Sequence, residues 1–256
     1  MIIDVNVSLG VWPFQRFQIR TAAQLDRRLA SHGIGQAWVS SAEAILQPDV
    51  DGCDEELYSR LRPYPRLRMV KTLNPVLANW PASLDRWSGR GVDAVKVHPG
   101  YHQYSPASPA ACELARQVAA RRMTLLVQMR VEDERGMYPP LHVRGVPVDE
   151  LVKLAGAVPE ASIIALCPYL REAVELVKRT RNVLVDLAFI ETCDTLRTFL
   201  RDAPAGRVVF GSHTPFLCTG AELMKLTAAN ARRQDLKMVR ETNARRLVQH
   251  RQVRLA

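Results

Sequence analysis

The sequence predicts an α/β fold, a single-domain (β/α)8 TIM barrel over residues 1–256 with an extra C-terminal helix. Three observations carry that prediction. Short apolar, β-branched runs alternate with longer helical segments along the whole chain. Eight such pairs fit into 256 residues, the usual size of one barrel. No glycine-rich phosphate loop follows the first apolar run, which sets aside a doubly wound open sheet.

The first run, residues 2–8, lacks the basic flank of a signal peptide and reads as a buried strand. Strands follow at 36–41, 68–74, 93–98, 124–130, 162–167, 182–188 and 207–213. Between them, helices are expected at 21–32, 53–61, 79–89, 108–121, 148–157, 170–179, 192–202 and 221–231, with a closing helix over 235–249. Ser108 before Pro109, Asp149 after Pro147, and Thr192 with Asp194 supply start signals. Apolar strands joined through helices must run parallel.

Composition excludes several classes. With 47% hydrophobic and 24% charged residues the chain is neither collagen-like, disordered nor a disulfide scaffold. No apolar run approaches the roughly 18–20 residues that cross a bilayer, so no membrane partner and a cytoplasmic location are expected. The five cysteines are far apart and form no CxxC pair, so reduced thiols are expected. The net charge of +9 is unevenly spread: from Arg232 onward eight Lys/Arg stand against Asp235 and Glu241. A solvated helix face, unaccompanied by interleaved aromatics, explains that excess better than nucleic-acid binding. Subunit contact through this helix, giving a homo-oligomer, stays open.

In a barrel, chemistry sits at the strand C-termini, and strand alternation says which side chains face inward. On the first strand Ile3, Val5 and Val7 are expected to face the helices, leaving Asp4, Asn6 and Ser8 inside. Alternation likewise places Lys96 and His98, Gln128 and Arg130, Asp186, and Gly211 and His213 inside. The turn Pro99-Gly100 then presents Tyr101 and His102. The long connection 131–147, with Tyr138 and His142, has the length of a lid. Trp12 and Phe14 either line the pocket or pack over the rim.

The segments DVNVSLG, AVKVHPGYHQYSP, LLVQMRVEDERG, VVFGSHTPF and ETNARRLV, in that order and spacing, resemble the amidohydrolase superfamily, in particular its amidohydrolase-related branch of small TIM-barrel hydrolases. The resemblance implies hydrolysis or decarboxylation of small, often carboxylated, substrates. It also implies metal ligands that this chain lacks. Asn6 and Ser8 stand where the family has His-x-His, and Gln128 replaces a fifth-strand histidine. Leu166 and Cys167 stand where another histidine belongs, and His213 replaces the aspartate that closes the eighth strand.

Zinc catalysis needs about three good protein ligands, so no cofactor is expected; a rewired zinc site would have to recruit His98, Cys167, Asp186 and His213. The expected enzyme is a metal-independent hydrolase of a small carboxylated substrate such as a lactone or ester. His213 is its base, because imidazole titrates near neutrality, and Asp186 orients it. Asn6, Ser8, Lys96, His98, Tyr101, His102, Gln128 and Arg130 are the expected substrate-binding residues, with the cations suiting an anionic small molecule. The alternative is a catalytically inactive barrel that binds a small acidic ligand or a protein partner.

Overall fold

Parallel strands and helices alternate along the chain, and the computed structural model describes residues 1–137, 140 and 142–252 of it. Strands β1 (Ile2–Leu9), β2 (Ile34–Ser41) and β3 (Leu67–Met69) form one parallel sheet. Strands β4 (Lys71–Thr72), β5 (Ala94–Val97), β6 (Thr124–Gln128), β7 (Ser162–Leu166), β8 (Val183–Asp186) and β9 (Val208–Val209) form another. The predicted third strand is thus split at Val70, although Val70 N still donates to Val39 O at 2.9 Å.

The last side of the barrel is stitched rather than fully laddered. Val5 N donates to Phe210 O at 3.0 Å and Ser8 N to Thr214 O at 2.7 Å. Between them the Asp4 carboxylate accepts Ser212 N at 2.9 Å. The architecture is therefore the expected α/β barrel, with gaps in its hydrogen-bond ladder.

Ten helices are present among the described residues: α1 (Ala22–Ser31), α2 (Val50–Leu61), α3 (Trp80–Gly89), α4 (Pro109–Ala120), α5 (Val148–Ala157), α6 (Leu170–Arg179), α7 (Thr195–Leu200), α8 (Thr219–Thr227), α9 (Arg233–Lys237) and α10 (Asn243–Gln252). The Ser108 hydroxyl caps α4 by accepting Ala111 N at 3.3 Å. Thr192 caps nothing: Asp194, with left-handed backbone, starts a shorter α7. The closing helix is interrupted by a π-helical turn, Met238–Thr242, before α10. Tyr138 and Arg254 lie outside the described residues. No helix among the described residues is long and apolar enough to cross a membrane.

Alternation on β1 fails in its first half. Ile3 and Val5 pack inside the barrel with Trp38, Leu126, Ile164 and Val209, while Val7 joins the layer under the helices. The register against β2 slips between Ile2 and Ile3 and again between Asp4 and Val7. The second slip inserts an extra residue into β1 and so shifts its side-chain phase; Ile3 and Val5 therefore face inward and Asn6 and Ser8 still reach the interior above them. The barrel floor is sealed by Ala244, Leu247 and Val248 of α10. Asn243 fixes that helix by donating to Ala205 O and Val208 O at 2.7 and 2.8 Å. Arg245 and Arg246 on its other face are exposed, as the charge distribution predicts.

Candidate active site

Above the apolar floor, a polar layer spans the barrel. Lys96 on β5 is 2% exposed, and its ammonium donates to Asn6 Oδ1 at 3.1 Å and Ser40 Oγ at 3.3 Å. Among the described residues no carboxylate lies within ion-pairing distance of it. Burial lowers its pKa to about 8, and the more distant Cys167, Asp186 and Asp4 groups offset this only in part. Asn6 then turns its amide to Asp186 Oδ2 at 2.9 Å and Cys167 Sγ at 3.3 Å. Asp186 Oδ1 accepts Cys167 N at 2.7 Å. A Lys96–Asn6–Asp186 chain therefore crosses the interior. Burial raises the Asp186 carboxyl to about 6 and Asp4 to about 7.

Gly211 makes the approach possible. A Cβ there would sit 2.7 Å from Asp186 Oδ2 and 2.9 Å from Asn6 Cβ. Gln128 completes the layer, donating to Cys167 Sγ at 3.1 Å and to Arg130 O at 2.5 Å. Ser8 Oγ lies 3.4 Å from Ser40 Oγ. Ser40 was not among the sequence candidates, although alternation on β2 with the inward Trp38 carries the signal.

The next layer holds histidines. His213 and His98 are each 1% exposed. His213 Nε2 lies 2.6 Å from Val131 O; a carbonyl only accepts, so Nε2 carries the proton and Nδ1 presents a bare lone pair. That Nδ1 has no hydrogen-bond partner, nor has either nitrogen of His98. Burial first, and the Lys96 charge second, push His213 down to about 3; the same causes hold His98 well below its ordinary value. His213 and Cys167 both adopt left-handed backbone, with φ of 52° and 58°. For residues with a Cβ this is a strained conformation, of the kind that collects at functional sites.

Aromatic side chains cover this layer. Phe216 stacks on His213 at 4.7 Å, and Trp12 meets Phe216 at 5.4 Å and Tyr101 at 5.7 Å. Trp12 is thus part of the rim cover. His102 packs edge-on against His98 at 5.8 Å, and its Nε2 is taken by Ile45 O at 3.2 Å. Arg130 is likewise committed. Its guanidinium makes a two-point contact with Glu172 at 2.6 and 2.8 Å, donates to Cys167 O, and lies over the Tyr169 ring. Its main partner is Glu172, and its Nε lies 3.6 Å from the Glu134 carboxylate. Of the ten candidates, Asn6, Ser8, Lys96, His98, Gln128, Asp186 and His213 converge in the barrel; Tyr101 joins the cover.

The donor set does not match a metal centre. No three His, Cys, Asp or Glu side chains among the described residues converge as metal ligands. The ammonium of Lys96 faces the middle of the layer, the Cys167 thiol is held protonated by burial, and Asp186 is spent on Cys167 and Asn6. The zinc set His98, Cys167, Asp186 and His213 is therefore not assembled.

No protein-family model matches the chain, and no curated protein matches it significantly. Solved structures do match its fold. A dihydroxybenzoic acid decarboxylase from Polaromonas sp. JS666, solved with manganese and the inhibitor 2-nitroresorcinol, superposes with a TM-score of 0.78 at 13% identity, covering 97% of this chain and 96% of that one. The 5-carboxyvanillate decarboxylase from Sphingomonas paucimobilis gives 0.75 at 12%, covering 97% and 98%. A probable 2-pyrone-4,6-dicarboxylic acid hydrolase from Acinetobacter baumannii, with citric acid bound, gives 0.67 at 11%, covering 97% and 99%.

The manganese in the first of these overturns the expectation that this chain's site takes no cofactor: structural neighbours carry a metal there. Fold and element order together give the chain the same TIM-barrel architecture as these enzymes.

Proposed function

We propose that the chain is an amidohydrolase-like enzyme acting on a small carboxylated molecule at the C-terminal ends of its barrel strands. One observation carries the reading: Lys96 is a buried ammonium whose hydrogen-bond partners, Asn6 and Ser40, are neutral. A buried charge without an acid in direct contact is costly, and a substrate carboxylate supplies that contact. The unpaired nitrogens of His98 and His213 next to it give that ligand further polar partners, since buried polar groups are ordinarily satisfied.

In the proposed chemistry His213 Nδ1 takes a proton from a water that attacks the lactone or ester carbonyl and hands it to the departing alkoxide as the acyl C–O bond breaks, while Nε2–H stays on Val131 O. At rest this imidazole is a weak base, and part of the reason is the Lys96 charge. A bound carboxylate neutralises that charge and so raises the basicity of Nδ1 when substrate is present. Asn6 and Asp186 hold Lys96 and the end of β7 in place. The aromatic cover suits a flat substrate. The structural neighbours act on, or are solved with, small aromatic carboxylates and a pyrone dicarboxylate hydrolase is among them, which supports the same substrate class; a lactone or ester is the finer choice within it.

The test is a panel of small lactones, esters and aromatic carboxylates, each assayed with and without added manganese. Turnover of a carboxylated member should fall at least 100-fold in His213→Ala with affinity retained. Lys96→Met should weaken binding of that member far more than of its uncharged analogue. Binding that ignores Lys96 sinks the reading. The cover over His213 favours a second reading, a barrel that binds an acidic ligand without turning it over; binding that depends on Lys96, with no turnover across the panel, would establish it.

A further inference from the structure

The cavity at the barrel mouth, about 440 Å³ and walled by Val131, Glu132, Tyr169, Phe189 and Phe216, is not the most spacious one. One of about 870 Å³ lies beside it, between the β1–α1 connection and the end of α2. Its walls carry Arg16 and Arg20 from the connection and Arg60 from α2, all exposed. Among the described residues Arg16 and Arg20 enter no ion pair, whereas Arg60 pairs with Glu56. Arg20 Nε donates to Phe17 O at 3.3 Å, which fixes its direction and leaves its charge uncompensated. The single acid in the lining is Glu43, whose carboxylate accepts Val11 N at 3.0 Å.

Two further features suit an anion with a flat ring. Ala22 and Ala23, the first residues of α1, line the cavity, and the Thr21 hydroxyl takes only Gln24 N. The helix start thus adds its positive end to the two guanidinium groups, of Arg16 and Arg20, that enter no ion pair among the described residues. Trp12 and Tyr64 contribute flat apolar wall. The volume lies within the range of small-molecule sites.

We infer that this cavity is a second binding site, separate from the barrel interior, for an anionic ring-bearing small molecule whose charge sits on phosphate or carboxylate. Trp12 belongs to both sites. It lines this cavity and, through Phe216 and Tyr101, it forms the cover above His213. A ligand here therefore bears directly on how firmly that cover is held.

The experiment is equilibrium binding of adenosine 5′-monophosphate to the full chain, read by dialysis and by tryptophan fluorescence. Wild type and Lys96→Met should bind it alike, and Arg16→Gln/Arg20→Gln should bind at least tenfold more weakly. Both arginines are exposed, so circular dichroism should show the double variant folded. The fluorescence change should be lost in Trp12→Phe while dialysis still reports binding. Competition by inorganic phosphate assigns the charge to a phosphate, and competition by benzoate assigns it to a carboxylate; either supports the site. Undiminished binding by the double variant, loss of binding in Lys96→Met, or no binding to wild type overturns it. None of these outcomes depends on turnover, so the enzyme reading and this site fail separately.

Discussion

The two halves of the barrel interior are built on opposite rules. The lower half is dry and self-sufficient: Ile3, Val5, Trp38, Leu126, Ile164 and Val209 pack together and α10 closes them off. The upper half is polar and incomplete. It holds Lys96 on neutral hydrogen-bond partners, two imidazoles with unpaired nitrogens, and an unpaired Gln128 Oε1, with Phe216 and Trp12 covering His213. Stability is made below and spent above, which is how a barrel keeps a costly site in a defined geometry.

That contrast can be broken from either side. The largest loss of stability is expected below: Ile164→Ala removes a fully buried side chain from the floor and should cost about 2–5 kcal/mol in denaturant unfolding, with ligand affinity per folded molecule kept. Lys96→Met should act in the opposite direction. The Lys96 pKa in the fold, about 8, lies below its ordinary 10.5. The charged form is therefore disfavoured by folding at every pH below about 8, and that cost is relieved as pH rises from about 8 towards 10.5. The cost is on the order of 3 kcal/mol, so wild-type stability should climb across this alkaline window and Lys96→Met should flatten the climb. A variant that unfolds more easily than wild type at pH 7 would contradict the picture of an uncompensated charge.

Gly211→Ala sharpens the comparison at the polar layer itself. The new methyl collides with Asp186 and Asn6, and overpacking of this kind costs about 1–3 kcal/mol. Thermal melts should register that loss together with weakened carboxylate binding, because Asn6 is also a Lys96 partner. The smallest effect is expected from Ser40→Ala, which removes one of the two neutral acceptors of Lys96. Stability should change by about 1 kcal/mol or less, and the useful readout is the alkaline climb, which should move to lower pH as Lys96 becomes still less well solvated.

Much of this was legible in the sequence. The order of strands and helices follows from local periodicity, and α5 and α6 fall where the pattern puts them. The inward placement of Lys96 with Asn6, and of Asp186 with Gly211, also follows from alternation near strand ends. Alternation misled only where the backbone departs from a regular strand, at the irregularities of β1 that turn Ile3 and Val5 inward. Asp4, freed there, accepts Asn6 N and Ser212 N and helps close the barrel. Two residues assigned to the substrate by type were claimed by distant groups: Arg130 by Glu172 and His102 by the carbonyl of Ile45. The cofactor expectation followed from counting missing histidines, and structural neighbours that carry manganese overturn it.

The sequence by itself determined the period of the chain and the kinds of side chain at each strand end, because both depend on neighbours a few residues apart. Only the tertiary structure decided which of those polar groups are satisfied. Closure of the barrel brings Glu172 to Arg130 across 42 residues and Asn6 to Lys96 across 90, and leaves Lys96 without an acid. Whether a buried charge finds a partner is settled by long-range packing, and here that outcome marks the site.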